Sequence, residues 1–443
     1  MKGIRERLQA ELEKIIIVDT HEHIMPEAAR QMCAVDFSYL FGHYNTSDLI
    51  SAGMPPGLLE AVRLPIHRYR VAYNERIRPQ RILAKPDRED MTLEEKWQAV
   101  EPYWEAIRNT AYARWTLIAV RDLFGCEDLN RDTWKKLSEA VAGSRKPGWY
   151  SQVLKEKAGI QCSIVDISTP EVDRTLMAPV MRVDAFVAPR SRQDIAFLEN
   201  ESGEAIHGLK DLVRAFHESI SRYIDRGIIG LKSALAYMRT LRYDKVTFHE
   251  AEEVFNRLFL HLGEGPSWLE VKPLQDYMMH QAVRAAVDNN LPFQIHTGLQ
   301  EGNENIITNS KPTHLINLLV EYREAKFDLF HGGYPYVHEW VTLAKNFPNV
   351  YPDLCWMYII SPHISRQLLH ELIETVPANK ILGFGGDSIT VEGAYAHSRM
   401  ARAVLSDVLT EKVSEGYLSE DQALDLAVRF LRDNPASLYG LTV

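Results

Sequence analysis

Ile15-Ile16-Ile17-Val18-Asp19-Thr20-His21-Glu22-His23 is a β-branched apolar run that stops abruptly in polar residues. Such a run reads as a strand, and its lack of polar alternation fits a strand covered on both faces in a parallel sheet. Seven more short runs of this kind follow: CSIVDI (162–167), RVDAFV (182–187), GIIGLK (227–232), PFQIH (292–296), FDLFH (327–331), NVYPDL (349–354) and ILGFGGD (381–387). Helical patterns separate most of them, such as TFHEAEEVFNRLFLHL (247–262), with a Thr cap and a Glu three residues on, and PLQDYMMHQAVRAAVDNN (273–290), ending on an Asn pair. Eight strands alternating with helices predict an α/β chain folded as a (β/α)8 TIM barrel.

The spacing breaks once. About 140 residues separate the first strand from the second, too many for one βα unit. The expected organisation is therefore an N-terminal helix with the first strand (1–23), a helical insertion rich in Trp and Tyr (24–160), and the rest of the barrel with C-terminal helices (161–443). Within the insertion, IRPQRILAKPDRED (77–90) reads as a surface loop.

The 443 residues are 46% hydrophobic and 25% charged, an ordinary globular composition that excludes disordered and fibrous classes. Fifty Lys and Arg against 60 Asp and Glu give a net charge of −10, the wrong sign for gripping a nucleic-acid backbone. The four cysteines, Cys33, Cys126, Cys162 and Cys355, form no C-x-x-C pair, which argues against a thiolate zinc site and a disulfide framework. Neither a signal-peptide pattern nor a membrane-length apolar stretch is visible, so a cytoplasmic location with no membrane partner is expected. A homo-oligomer is the base-rate expectation.

Alternation along the first strand puts His21 and His23 on one side, where two imidazoles can share one metal ion. An isolated H-x-H is common; the other strand ends make it informative. Lys232 ends the fourth predicted strand, His296 the fifth, His331 the sixth and Asp387 the eighth. In barrels of this kind the active site is built at those ends, so the combination predicts a metal-dependent enzyme. Imidazoles with one carboxylate suit a divalent ion, zinc first, present as one ion or two. Tyr237, Arg239 and Trp356 follow strand ends and are expected, with Lys232, to contact a small anionic substrate, Arg239 by forking onto a carboxylate.

The motifs VDTHEH, QIHTG, FHGGYP and FGGDS resemble the amidohydrolase superfamily of metal-dependent enzymes, over about residues 14–24 and 160–440. KSALAYMRTL (232–241) and DNPASLYGL (433–441) resemble the amidohydrolase-2 branch that includes domains fused to glutamine synthetases, and the insertion is similar to that of uronate isomerase. The resemblance implies His21, His23 and His296 as metal ligands and Asp387 as a ligand that also moves protons. It implies His331 as a second-metal ligand or an acid/base group. Lys232 matches a position that is carbamylated in some members and absent in others. His43 and His67 fall in the insertion, which caps the pocket in uronate isomerase-like architectures.

Three readings follow. The first is a hydrolase cleaving a C–N bond of a carboxylated molecule by metal-activated water, with Asp387 and His331 catalytic. The alternative is a uronate isomerase or a non-oxidative decarboxylase on the same scaffold, because function lives in the pocket rather than the fold. A metal-binding regulatory module would leave Asp387 and His331 without a task.

Overall fold

Short parallel strands carry the architecture. In the computed structural model, which describes residues 2–64, 90–167, 169–259 and 266–443, they are β1 (Ile17–Glu22), β2 (Ile160–Val165), β3 (Met177–Pro179), β4 (Met181–Arg182), β5 (Leu231–Ser233), β6 (Phe293–Ile295), β7 (Phe327–Leu329) and β8 (Val350–Pro352). All pair in parallel, in the orders β1-β2-β3 and β4-β5-β6-β7-β8. The Val180 and Met181 amides bond to Val165 and Gly230, linking the two runs. Leu382 bridges to Asp353, and the Thr20 amide donates to the Phe384 carbonyl, so residues 382–384 lie between β8 and β1.

Two expected strands differ. RVDAFV does not continue as a strand, because the chain leaves β4 at Arg182 and Asp184–Val187 makes a helical turn. The preceding segment, β3, was not expected; only three residues long, it offers no periodicity. ILGFGGD contributes a bridge rather than a regular strand. Three closely packed glycines explain this: a Cβ on Gly383, Gly385 or Gly386 would meet Phe430, Thr20 or Glu22 inside van der Waals distance.

Strand side chains fill the interior in layers. Lys232, Gln294 and Asp328 are register partners on adjacent strands, and all are buried. The helices obey their sequence signals. Phe248–Leu258 begins with a Thr247–Glu250 capping box, and Trp268–Asp288 with a Ser267–Glu270 box one turn before the expected start. The end of 247–262, most of the 77–90 loop and His67 lie outside the described residues.

Between β1 and β2 the described residues are mostly helical, including Tyr44–Ser51, Leu93–Ile107, Ala111–Phe124 and Trp134–Gly143. They dock on the long helix Val391–Ser414. Arg30 pairs with Glu392 at 2.7 Å, both fully buried, and the Trp149 indole donates to the same carboxylate oxygen. The Trp115 indole donates to the Gly393 carbonyl, and Gly393 has no room for a Cβ beside that ring. No described helix is long and apolar enough to cross a membrane.

Removing one partner of a buried ion pair leaves the other charge uncompensated, at a cost of about 3–5 kcal/mol. Arg30→Ala is therefore expected to destabilise the chain by an amount in that range in urea or thermal unfolding. A loss below about 1 kcal/mol would show that the Arg30–Glu392 pair does not hold the helical segment down.

Candidate metal centre

The ends of β1, β6 and β7, with the loop after Phe384, bring His21, His23, His296, His331 and Asp387 together. All five are buried. Asp387 sits between the histidines: its Oδ1 is 3.2 Å from His23 Nε2 and 3.8 Å from His21 Nε2, and its Oδ2 is 3.8 Å from His331 Nε2. Burial alone would raise the Asp387 carboxyl, but the His23 hydrogen bond and charge, with His331 and His21, hold it well below the usual carboxylate range.

The backbone decides which ring nitrogen carries each proton. His23 Nδ1 lies 2.8 Å from the Asp166 carbonyl and His331 Nδ1 2.9 Å from the Cys355 carbonyl. Carbonyls only accept, so both Nδ1 atoms donate; a neutral His331 then presents a lone pair at Nε2, whereas His23 Nε2 lies within hydrogen-bond distance of Asp387 Oδ1. His21 Nδ1 is bonded at 3.0 Å to Gln294 Oε1, and its buried Nε2 has no hydrogen-bond partner. Burial holds His21 well below the usual imidazole range and brings His331 down to about 4, so these rings are neutral near pH 7.

His296 and His331 are one proton short. His296 Nε2 faces the Leu299 carbonyl at 2.8 Å and its Nδ1 faces His331 Nε2 at 3.0 Å. With the Cys355 carbonyl, this pair makes three contacts that each need a hydrogen, whereas two neutral imidazoles hold two. Burial keeps His296 well below its usual range, so an extra proton is disfavoured there. An orphaned imidazole nitrogen, a low-pKa carboxylate and facing lone pairs are the donor chemistry of a divalent cation site, and the residues fit such an ion. His21, His23 and Asp166 form one close ligand group, and His331, Cys355 and Asp387 another. Asp166 is also bound by Arg182, through Nε at 2.8 Å.

Strain marks the same place. Among the described residues five non-glycine positions have positive φ, and His331 (66°), Trp356 (62°) and Asp387 (49°) are three of them. Glu22, between the two β1 histidines, holds the Asp387 loop: its Oε2 accepts from the Ser388 amide, and a Cβ on Gly386 would lie 1.8 Å from its Oε1. Burial and neighbouring Asp19 push the Glu22 carboxyl well up, while burial raises Asp19 to about 6.

The residues expected at the substrate divide. Lys232 is buried with its ammonium 3.5 Å from the Phe330 ring centroid, and burial lowers it to about 8. Trp356 stacks on Tyr44 at 4.6 Å and meets His331 edge-on at 5.1 Å, and its indole N–H is buried without a partner. The Tyr237 ring lies 4.6 Å from that of His296, and its hydroxyl accepts from the Glu301 amide. Arg239 requires a correction: its guanidinium is buried and bonded to Asp276, Gln275 and the Thr240 and Arg242 carbonyls, so it ties its own loop down rather than forking onto a substrate.

Sequence reading missed Gln294, Asp166, Tyr44 and Tyr112. Gln294 had a signal, since it lies two residues before His296 on the same side of the strand. Asp166 stands at the end of CSIVDI. Tyr44 donates to the Asp387 carbonyl and Tyr112 stacks beneath Trp356, but both come from the helical segment, where no strand end points them out.

Residues 244–441 match the family model described as Amidohydrolase. Protein fluG of Emericella nidulans is 30% identical over 226 residues, 49% of this chain, and the match spans 26% of that protein's length. A uronate isomerase of Nostoc punctiforme is 21% identical over 96% of this chain and 92% of its own. In three dimensions, uronate isomerase from Thermotoga maritima superposes with a TM-score of 0.76 at 18% identity, covering 99% of this chain and 97% of that one. The amidohydrolase-superfamily resemblance, with its likeness to uronate isomerase, is borne out. The reading as a hydrolase of a C–N bond is not: uronate isomerases of Nostoc punctiforme and Phenylobacterium zucineum align along nearly the whole chain.

The proton arithmetic gives a direct check. Zn²⁺ added to metal-free protein is expected to bind at about one equivalent, with binding reduced at least 100-fold in His21→Ala, His23→Ala and Asp387→Ala. Metal analysis after gel filtration measures it. Stoichiometric zinc in any two of these variants would overturn the site.

Proposed function

We propose that this chain is a metal-dependent sugar-acid isomerase on a (β/α)8 barrel, acting on a uronate by moving hydrogen between its carbonyl carbon and the neighbouring carbinol carbon. The observation that carries this reading is the convergence of His21 Nε2 and His23 Nε2 on ionised Asp387, in a chain that aligns end to end with uronate isomerases.

His21, His23 and Asp387 would hold one divalent ion, zinc by donor type, with His331 and His296 beside it. Such an ion, when bound, polarises a carbonyl and an adjacent hydroxyl as a Lewis acid. Asp387 is the proton carrier in this reading. It starts ionised and so can take a proton from the carbinol carbon and return one at the carbonyl carbon, while its Oδ2 faces His331 Nε2, a neutral lone-pair donor that can take up or return a hydroxyl proton. Lys232 would receive the substrate carboxylate: its ammonium rests on a ring face within the site, where an anion is the natural fourth neighbour. The free Trp356 N–H is placed to bond a sugar hydroxyl, with Tyr44 and Tyr112 stacked behind it to keep it oriented and water away.

Metal-loaded protein incubated with aldehyde uronates in heavy water is expected to yield the keto acid with deuterium entering from solvent; a product without solvent hydrogen, or no turnover of any uronate, would overturn the reading. Losing a charge-assisted hydrogen bond of about 1.5–3 kcal/mol should raise KM about 10- to 100-fold in Lys232→Met, with a smaller effect on kcat. The ammonium form is lost as pH rises through about 8, so kcat/KM should fall above that pH in the parent and not in Lys232→Met.

A further inference from the structure

The least expected partner of the β1 histidines comes from the far end of the chain. Helix Asn434–Tyr439 packs under the strands and sends the Tyr439 phenol into their interior, where Tyr439 is 5% exposed. The Tyr439 hydroxyl donates to Asp328 Oδ2 at 2.5 Å and accepts from Gln294 Nε2 at 2.8 Å. Gln294 Nε2 also donates to the Thr20 carbonyl at 2.9 Å, and Gln294 Oε1 faces His21 Nδ1.

Every bond in this series has one permitted direction. The Thr20 carbonyl only accepts, so the Gln294 amide cannot flip, and its oxygen must face His21. His21 must then carry its proton on Nδ1. The phenol accepts from Gln294, so its own hydrogen goes to Asp328. Asp328 Oδ1 and Asp353 Oδ2 are buried without a hydrogen-bond partner. Burial and the neighbouring Asp353 charge raise the Asp328 carboxyl well above its usual range.

We infer that Tyr439 is a positioning residue for the cation site: the Thr20 carbonyl sets the direction of the Gln294 amide, and Tyr439 holds that amide in place against His21 Nδ1, so that the Nε2 lone pair stays ready for the ion. This rests on the His21–His23–Asp387 site and not on the isomerase chemistry, so inactivity on uronates would leave it standing. Tyr439 touches neither ion nor substrate. Its effect passes through an amide whose two donors have two different anchors, Thr20 and Tyr439; without the phenol one buried Gln294 N–H loses its acceptor, and the amide's hold on His21 loosens although Thr20 still sets its direction.

The test is Zn²⁺ affinity by chelator competition on the full chain, with the Co²⁺ absorption spectrum as a second readout of ligand geometry. Outer-shell partners of a metal-bound histidine typically contribute 10- to 100-fold in affinity. Gln294→Met is expected to lose about 100-fold, Tyr439→Phe about 10-fold with an altered Co²⁺ band, and the double variant no more than Gln294→Met alone, because the two act in series. Leu438→Ala, which loosens the same helix by packing alone, should lower Tm and leave Zn²⁺ affinity unchanged. Should Gln294→Met fail to fold, Tyr439→Phe decides by itself. Tyr439→Phe within twofold of the parent, losses that multiply in the double variant, or an equal loss in Leu438→Ala would overturn the inference.

Discussion

An ionised carboxylate buried among imidazoles is the constraint on which the rest of this structure turns. Asp387 is nearly inaccessible, and desolvation works against its charge. The charge survives because several ring nitrogens converge on it, and they converge because backbone carbonyls at 166 and 355 and the Gln294 amide leave each ring one orientation. Moving any of those acceptors changes which atom of a histidine faces the carboxylate. The site is thus a property of the scaffold's polar backbone as much as of its side chains.

Backbone strain is placed accordingly. His331, Trp356 and Asp387 occupy left-handed conformations that cost of order 1–3 kcal/mol each and persist only where packing over-determines them. Glu22 against Gly386, Trp340 against Gly333 and the stacked Tyr44 and Trp356 rings supply that packing. The helical segment after β1 therefore contributes to the geometry of the acid loop, with Arg30 and Trp149 clamped on Glu392 from one side and Tyr44 on Asp387 from another.

Much of this was legible in the chain. The strand-end positions of His21, His23, His296, His331 and Asp387 follow from apolar runs that stop in polar residues, a signal carried entirely by local order. Arg239 failed because a loop arginine's partners lie some 37 residues away, at Asp276, and nothing local distinguishes a fork onto a substrate from a fork onto the fold. The hydrolytic reading failed for a related reason: ligand types fix what a cation can do, but the choice among reactions rests on pocket walls contributed by the helical segment. Gln294 was half visible, its facing given by alternation while its partner, Tyr439, lies 145 residues further on.

That separation bears on how the chain matures. Residue 21 must meet 294, 387 and, through Gln294, 439, so the contacts that shape the lone pairs span almost the whole chain and close large loops. A nascent or partly folded chain holds histidines but not their fixed orientation, and it would bind ions loosely through whichever nitrogen happened to be free. Tight capture of an ion would belong only to the finished fold, and cation retention would then report on whether the chain has been assembled correctly.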